Sequence, residues 1–91
     1  MSRAWEIEFA ADGTGMIAHR EAPRFRAWWI TGLAGLDRLE GLFWTDEGQG
    51  EEDAITLYGF AWDDPAPDQE AFEALMRAAA AAIDAWIAGR L

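Results

Sequence analysis

The C-terminal part of the chain carries the sequence pattern that most limits the possible folds. Between Asp68 and Leu91, large apolar side chains recur at steps of three and four residues, which puts them on one stripe of an α-helix. The run from Ala78 to Ala82 adds high helix propensity. The members of the stripe are Phe72, Leu75, Met76, Ala79, Ile83, Trp86 and Ile87. Because this stripe must be buried, the upstream residues are expected to form the surface that covers it.

Upstream of the helix, apolar and polar residues alternate with a period of two, which predicts β-strands. Asp12-Gly13 predicts a tight hairpin turn after the first strand. Residues 23–30 also fit a short helix, but their β-branched and aromatic content favours a strand. The predicted strands are Trp5–Ala11, Met16–Glu21, Arg24–Thr31, Leu39–Thr45 and Ala54–Trp62.

These elements predict a single domain, residues 1–91, of the α+β class. We expect an antiparallel four- or five-stranded meander sheet with one C-terminal amphipathic helix packed on one face. The predicted core face of the sheet carries Trp5, Ile7, Phe9, Phe25, Trp29, Phe43, Ile55 and Leu57. Small residues on that face would let the helix come close, namely Ala27, Gly41, Gly59 and Ala61.

The charge balance restricts the partners of such a domain. Acidic residues number 17 and arginines 7, with no lysine, so the net charge is −10. This charge repels nucleic acid and anionic membranes and favours cationic partners, although compositional drift in the genome explains it equally simply. No apolar run approaches the ~20 residues of a membrane span. The first residues show no export signal, so the expected location is the cytoplasm.

The side-chain inventory argues against catalysis. The chain has no cysteine, lysine or asparagine, and it has a single histidine, serine and tyrosine. Nucleophilic triads, Schiff bases and zinc sites draw on these residues, so we predict no enzyme, no cofactor and no metal site. An enzyme that uses only carboxylates for catalysis is a third possible class of function. It would need two acidic side chains that face each other in a cleft.

The second face of the predicted sheet is unusually aromatic, which suggests a partner-binding surface. Its predicted binding residues are Trp28, Trp44, Tyr58, Phe60, Trp62, Arg24 and Arg26. The two arginines could also form cross-strand ion pairs with Glu6 and Glu8. The competing interpretation is that a shifted register or a bulge turns some of these aromatic residues inward.

Acidic residues flank the last predicted strand. They are Asp46, Glu47, Glu51, Glu52, Asp53, Asp63 and Asp64. A solvated loop and a helix N-terminus explain them most simply. A functional interpretation is that they imitate nucleic-acid phosphates and occupy a basic nucleic-acid-binding surface on a protein partner.

The sequence therefore favours a small acidic, non-enzymatic protein that acts by protein–protein binding. It would be an inhibitor, an antitoxin-like or immunity-like factor, or an accessory subunit, with its second sheet face covered by a second copy or by a basic partner. The alternative is a carrier of a small apolar ligand. Its pocket would lie between helix and sheet, lined by Trp5, Trp29, Phe43 and Trp86.

Overall fold

The structure, a computed structural model, describes residues 4–10, 15–31, 41, 43–46 and 54–89. Within these residues the chain forms five strands and one helix. They are β1 (Trp5–Phe9), β2 (Gly15–His19), β3 (Phe25–Thr31), β4 (Phe43–Asp46), β5 (Ile55–Trp62) and α1 (Gln69–Ala88). All paired strands are antiparallel and belong to one sheet, with the single helix following the last strand. The predicted α+β fold class is confirmed.

The strand order in the sheet is β1-β2-β3-β5-β4, which differs from the simple meander that was predicted. The first three strands do follow one another, but β5 lies between β3 and β4. β5 begins with the buried residues Ile55, Thr56 and Leu57, so an interior position suits it. β4 has only four residues and no fully buried side chain, which suits an edge.

Strand β3 settles the ambiguity at residues 23–30 in favour of a strand. Phe25, Ala27 and Trp29 are buried, and the residues between them are exposed, which is the alternation of a half-buried strand. The connection from β2 contains a cis peptide bond between Ala22 and Pro23. Within this connection the Nδ1 atom of His19 donates a hydrogen bond of 2.9 Å to the Pro23 carbonyl. The predicted turn at Asp12-Gly13 lies outside the described residues.

Helix α1 begins and ends at capping residues. The Asp68 carboxylate accepts a 2.9 Å hydrogen bond from the Ala71 amide, which is an N-cap contact. At the other end, the Gly89 amide donates to the Ala85 carbonyl at 3.0 Å. The buried positions of the helix are Phe72, Met76, Ala79, Ala80 and Ile83, and all of them except Ala80 belong to the predicted stripe. No helix among the described residues is long and apolar enough to cross a membrane.

The core lies between α1 and one face of the sheet. Aromatic rings join the two layers: Phe72 contacts Phe60 with a centroid distance of 5.5 Å, and Trp86 contacts Trp29 edge-on at 6.0 Å. Ala79 and Ala80 are buried, so small side chains of the helix allow the close approach. The predicted sheet glycines, Gly41 and Gly59, are exposed instead.

A β-bulge in β5 decides which side chains face the helix. Arg26 pairs with Ala61, but Trp28 pairs with Tyr58, so two residues of β5 stand opposite Ala27. One of them is Gly59, whose φ of +64° is typical of the glycine in such a bulge. The extra residue inverts the alternation for the rest of the strand. The expectation that Ala61 lies on the helix side is therefore wrong, because Ala61 shares the other face with Arg26.

Candidate protein-binding face

The sheet face opposite α1, called here the helix-free face because α1 is the one helix among the described residues, carries one continuous row of side chains across the five strands. The pairings Glu8–Met16, Met16–Trp28, Trp28–Tyr58 and Tyr58–Phe43 place these five residues side by side. Neighbours in such a row are close enough for their side chains to touch. We call Trp28, Tyr58 and Phe43 the aromatic row. It spans the three strands at one side of the sheet.

The aromatic row is partly open to solvent. Trp28 is 40% exposed and Phe43 is 43% exposed, while Tyr58 between them is half-buried. Large apolar side chains exposed next to one another indicate an interaction surface more often than single ones do. The helix-free face therefore retains two aromatic side chains that the fold buries only in part.

The structure separates six of the seven predicted binding residues into two groups. Trp28, Tyr58 and Arg26 lie on the helix-free face, as predicted. The placement of the others is wrong: Trp44, Phe60 and Trp62 pack against the core on the helix side. For Phe60 and Trp62 the cause is the bulge at Gly59.

Strand β4 was predicted in the opposite phase. Trp44 pairs with Leu57, a core residue, and therefore points towards the helix side. Phe43 pairs with Tyr58 and joins the helix-free face, so its predicted place in the core is wrong. Because Phe43 and Trp44 are both aromatic, their own alternation does not choose a phase, and the pairing with β5 decides it.

A shallow depression of about 180 Å³ lies beside Trp28 on the same face. Gly59 makes room for the indole, since a Cβ atom there would lie 2.7 Å from Cδ1 of Trp28. Arg26 also lines the depression, and it forms no ion pair with any other described residue. A cationic group and an aromatic ring thus border one opening, next to the side chain of Met16.

Arg24, by contrast, is an exposed residue that forms an intramolecular ion pair. Its amide donates to Oδ2 of Asp64 at 2.7 Å, and its guanidinium contacts the two oxygens of the same carboxylate at 3.2 Å. The hydrogen bond from the Arg24 side chain, followed by the one from its amide, holds the pKa of Asp64 below its ordinary value. The Asp64 carboxylate likewise raises the pKa of Arg24. This contact, the Arg24–Asp64 clamp, ties the start of β3 to the end of β5.

The expected ion pairs from Arg24 and Arg26 to Glu6 and Glu8 are absent among the described residues. Strand β2 separates β1 from β3, so the two pairs of residues are two strand spacings apart, roughly 9–10 Å. Glu6 instead pairs with Arg20 of the same hairpin at 2.9 Å. Both side chains of that pair are about half exposed or more, so it contributes little to stability.

The predicted acidic surface is only partly within the described residues. Asp63 is exposed after β5, and Asp46 is half-buried at the end of β4. Glu47, Glu51, Glu52 and Asp53 lie outside the described residues. In the part of the chain that the structure describes, no three His, Cys, Asp or Glu side chains are grouped to hold a metal ion.

The residues that would line a carrier pocket do not come together. Trp29 and Trp86 contact each other on the helix side, but Phe43 lies on the opposite face of the sheet. Trp29 is only 1% exposed, and its indole nitrogen donates to the Met16 carbonyl at 3.1 Å. Trp29 and Trp86 therefore pack against each other on the face of the sheet opposite to Phe43.

Three members of the five-residue row on the helix-free face were not among the predicted binding residues, namely Glu8, Met16 and Phe43. Met16 could have been recognised from the alternation of β2, because Ile17 next to it is the core residue. Comparison with protein-family models found no match, and no curated protein or solved structure was found to be similar to this chain.

Proposed function

We propose that this chain is a small, non-enzymatic binding protein that docks the aromatic row and Arg26 onto a more basic protein partner. The observation that supports the proposal most strongly is the exposure of Trp28 and Phe43, at 40% and 43%, on one helix-free face. Tyr58 joins them in the register of the sheet. Trp, Tyr and Arg are the residue types that most often dominate binding energy at protein interfaces.

The exposed area of the aromatic row is too small to hold a partner by itself. The exposed parts of Trp28 and Phe43 amount together to roughly 200 Å². Burying that area would contribute about 5 kcal/mol, which is comparable to the cost of association alone. A stable dimer usually buries about 800 Å² on each partner. The row therefore supplies anchors, and a further attraction is needed to complete the interface.

Charge provides that further attraction when the partner is basic. Two copies of this chain each carry a net charge of −10 and repel each other, whereas a cationic surface is attracted. The exposed carboxylates of Glu6 and Glu8 lie on the same face as the aromatic row. In this role the chain is an inhibitor, an antitoxin-like or immunity-like factor, or an accessory subunit. Its acidic groups would occupy a basic, nucleic-acid-binding surface of the partner, in the cytoplasm.

The proposal is tested by capturing the partner from the native host with the purified chain and measuring its affinity by calorimetry. We expect Trp28→Glu to weaken binding by at least roughly thirtyfold, as for a hot-spot residue. Ala81→Glu is the matched control, because it adds the same charge at an exposed position of α1. The control should bind like the wild type.

Sedimentation at micromolar concentration tests the alternative that a second copy of the chain covers the aromatic row. We expect a monomer without the partner, and a complex whose affinity falls as salt screens the charges. A wild-type dimer that Trp28→Glu dissociates would identify a second copy as the occupant and contradict the proposal of a basic partner. Equal partner affinity of Trp28→Glu and Ala81→Glu would contradict the role of the aromatic row.

A further inference from the structure

Strand β1 is an edge strand with no pairing partner on its outer side among the described residues. It pairs with β2 through five consecutive residues without a bulge, and it contains neither proline nor lysine. Proteins commonly protect exposed edges with those devices, because a free edge can accept another strand. The outer side of β1 is therefore able to pair with an additional extended segment.

The hydrogen bonds of the β1–β2 hairpin show which backbone groups point outward. The Arg20 amide donates to the Ala4 carbonyl at 2.7 Å, and these two residues stand opposite each other in the register. In an antiparallel pair, hydrogen-bonded positions alternate with positions whose amide and carbonyl point away. Ala4, Glu6 and Glu8 are thus bonded towards β2. The amides and carbonyls of Trp5, Ile7 and Phe9 point to the outer side.

The side chains of β1 differ between its two faces. Glu6 and Glu8 are exposed on the helix-free face, and Glu8 forms no ion pair with any other described residue. Trp5, Ile7 and Phe9 lie on the helix side, where Phe9 is 55% exposed. Phe9 is an exposed apolar side chain that the aromatic row does not explain. A strand added beside β1 would cover it.

We propose that the outer edge of β1 binds an extended basic segment of a protein partner, which adds to the sheet as a further, antiparallel strand. Cationic side chains of the segment face Glu6 and Glu8, and apolar side chains between them face Ile7 and Phe9. The two carboxylates occupy positions where opposite side chains come closest in the new pair. Main-chain hydrogen bonds to Trp5, Ile7 and Phe9 provide the attachment, as in other cases of strand addition.

A second copy of the chain is a poorer occupant of this edge. Antiparallel pairing of two β1 strands about Ile7 would set Glu6 of one copy opposite Glu8 of the other. Like charges directly opposite each other destabilise a strand pair, and here the contact would occur twice. A basic segment replaces both repulsions by attractions. The charge pattern of β1 therefore selects a cationic strand.

The probe is a terminally blocked seven-residue peptide in which lysine alternates with valine, labelled for fluorescence anisotropy. Two N-methylated forms distinguish strand addition from charge attraction. Methylation of the valine amides removes the donors that face β1, whereas methylation of the lysine amides removes donors that face solvent. We expect roughly tenfold weaker binding for the first form, from the loss of two or more hydrogen bonds, and little change for the second.

Hydrogen exchange locates the bound peptide. The amides of Trp5, Ile7 and Phe9 should exchange more slowly when the peptide is present, while those of Glu6 and Glu8, already bonded to β2, should not change. Glu8→Gln should weaken binding about two- to fivefold. Glu21→Gln removes the same charge from the exposed β2–β3 connection and should have a smaller effect.

Three results would overturn the inference. They are the absence of binding up to millimolar peptide, an equal effect of the two methylation patterns, and protection of amides elsewhere than at Trp5, Ile7 and Phe9. Because the peptide tests only the β1 edge, none of these results bears on the aromatic row, which lies on other strands.

Discussion

At the scale of single residues, Gly59 determines which aromatic side chains remain outside the core. Its positive φ allows the bulge opposite Ala27, and the bulge turns Phe60 and Trp62 towards the helix. The absence of a Cβ atom leaves the space that the indole of Trp28 occupies. A glycine inside a strand pattern is a recognised sign of a bulge. That signal was present in the sequence, but it does not reveal how many residues the bulge adds.

Replacement of Gly59 by alanine tests this role. Gly59→Ala should lower the free energy of unfolding by about 1–3 kcal/mol for the backbone strain, plus a further loss because the new methyl displaces Trp28. Gly41→Ala is the control, since Gly41 has a φ of +78° but no atom within 4 Å of the point that an added Cβ would occupy. Chemical denaturation of both variants gives the comparison. An equal loss in the two would show that the contact with Trp28 does not restrict the site.

The Arg24–Asp64 clamp should make stability depend on pH at the acidic end. Its lowered pKa means that Asp64 binds a proton less readily in the folded than in the unfolded chain. The stabilisation is therefore complete above the ordinary pKa of 3.8 and is lost as the pH falls through the lowered folded value.

Unfolding experiments on Asp64→Asn check this dependence. The variant should be less stable than the wild type at neutral pH, and the difference should shrink as the pH falls below about 4. Asp63→Asn removes the same charge one residue away and leaves the contact with Arg24 in place, so it should be the milder change at neutral pH. A difference between Asp64→Asn and the wild type that stays constant down to about pH 2 would contradict the clamp.

At the scale of elements, the helix and the first three strands were predictable because their patterns are unambiguous. Helix α1 has a single apolar stripe between Asp68 and Gly89, and β1 alternates glutamate with apolar residues. The last two strands were harder to place. Phe43 and Trp44 are adjacent and both aromatic, so their alternation does not show which of them faces the core. The phase of β4 is set by its pairing with β5, which local sequence patterns do not reveal.

Substitution of α1 side chains by alanine should distinguish fully buried positions from partly buried ones. Met76 is completely buried, so Met76→Ala should cost about 2–5 kcal/mol, while the half-buried Leu75 should lose less on the same change. Arg77→Ala, at an exposed neighbouring position, serves as the control and should be nearly neutral. Thermal or urea unfolding measures all three. A ranking in which Leu75→Ala costs more than Met76→Ala would mean that α1 packs on the sheet in a different rotation.

At the scale of the whole molecule, the two faces of the sheet differ in their surroundings. One packs against α1 and forms the core, and the other leaves Trp28, Phe43 and Arg26 exposed, with Tyr58 half-buried. Composition predicted that a second face with surplus aromatic residues would exist, and Trp28, Tyr58 and Arg26 were assigned to it correctly. The full set of residues on the helix-free face was not predictable, because the bulge and the position of β5 between β3 and β4 are set by long-range pairing.

The most direct test of the binding face is hydroxyl-radical footprinting of the chain with and without its captured partner. This method measures the solvent exposure of individual aromatic and aliphatic side chains. We predict that oxidation of Trp28 and Phe43 falls when the partner binds, while that of Leu75 and Ile87 on the helix layer stays the same. Unchanged oxidation of Trp28 and Phe43, together with protection of the helix residues, would contradict the assignment of the helix-free face as the binding surface.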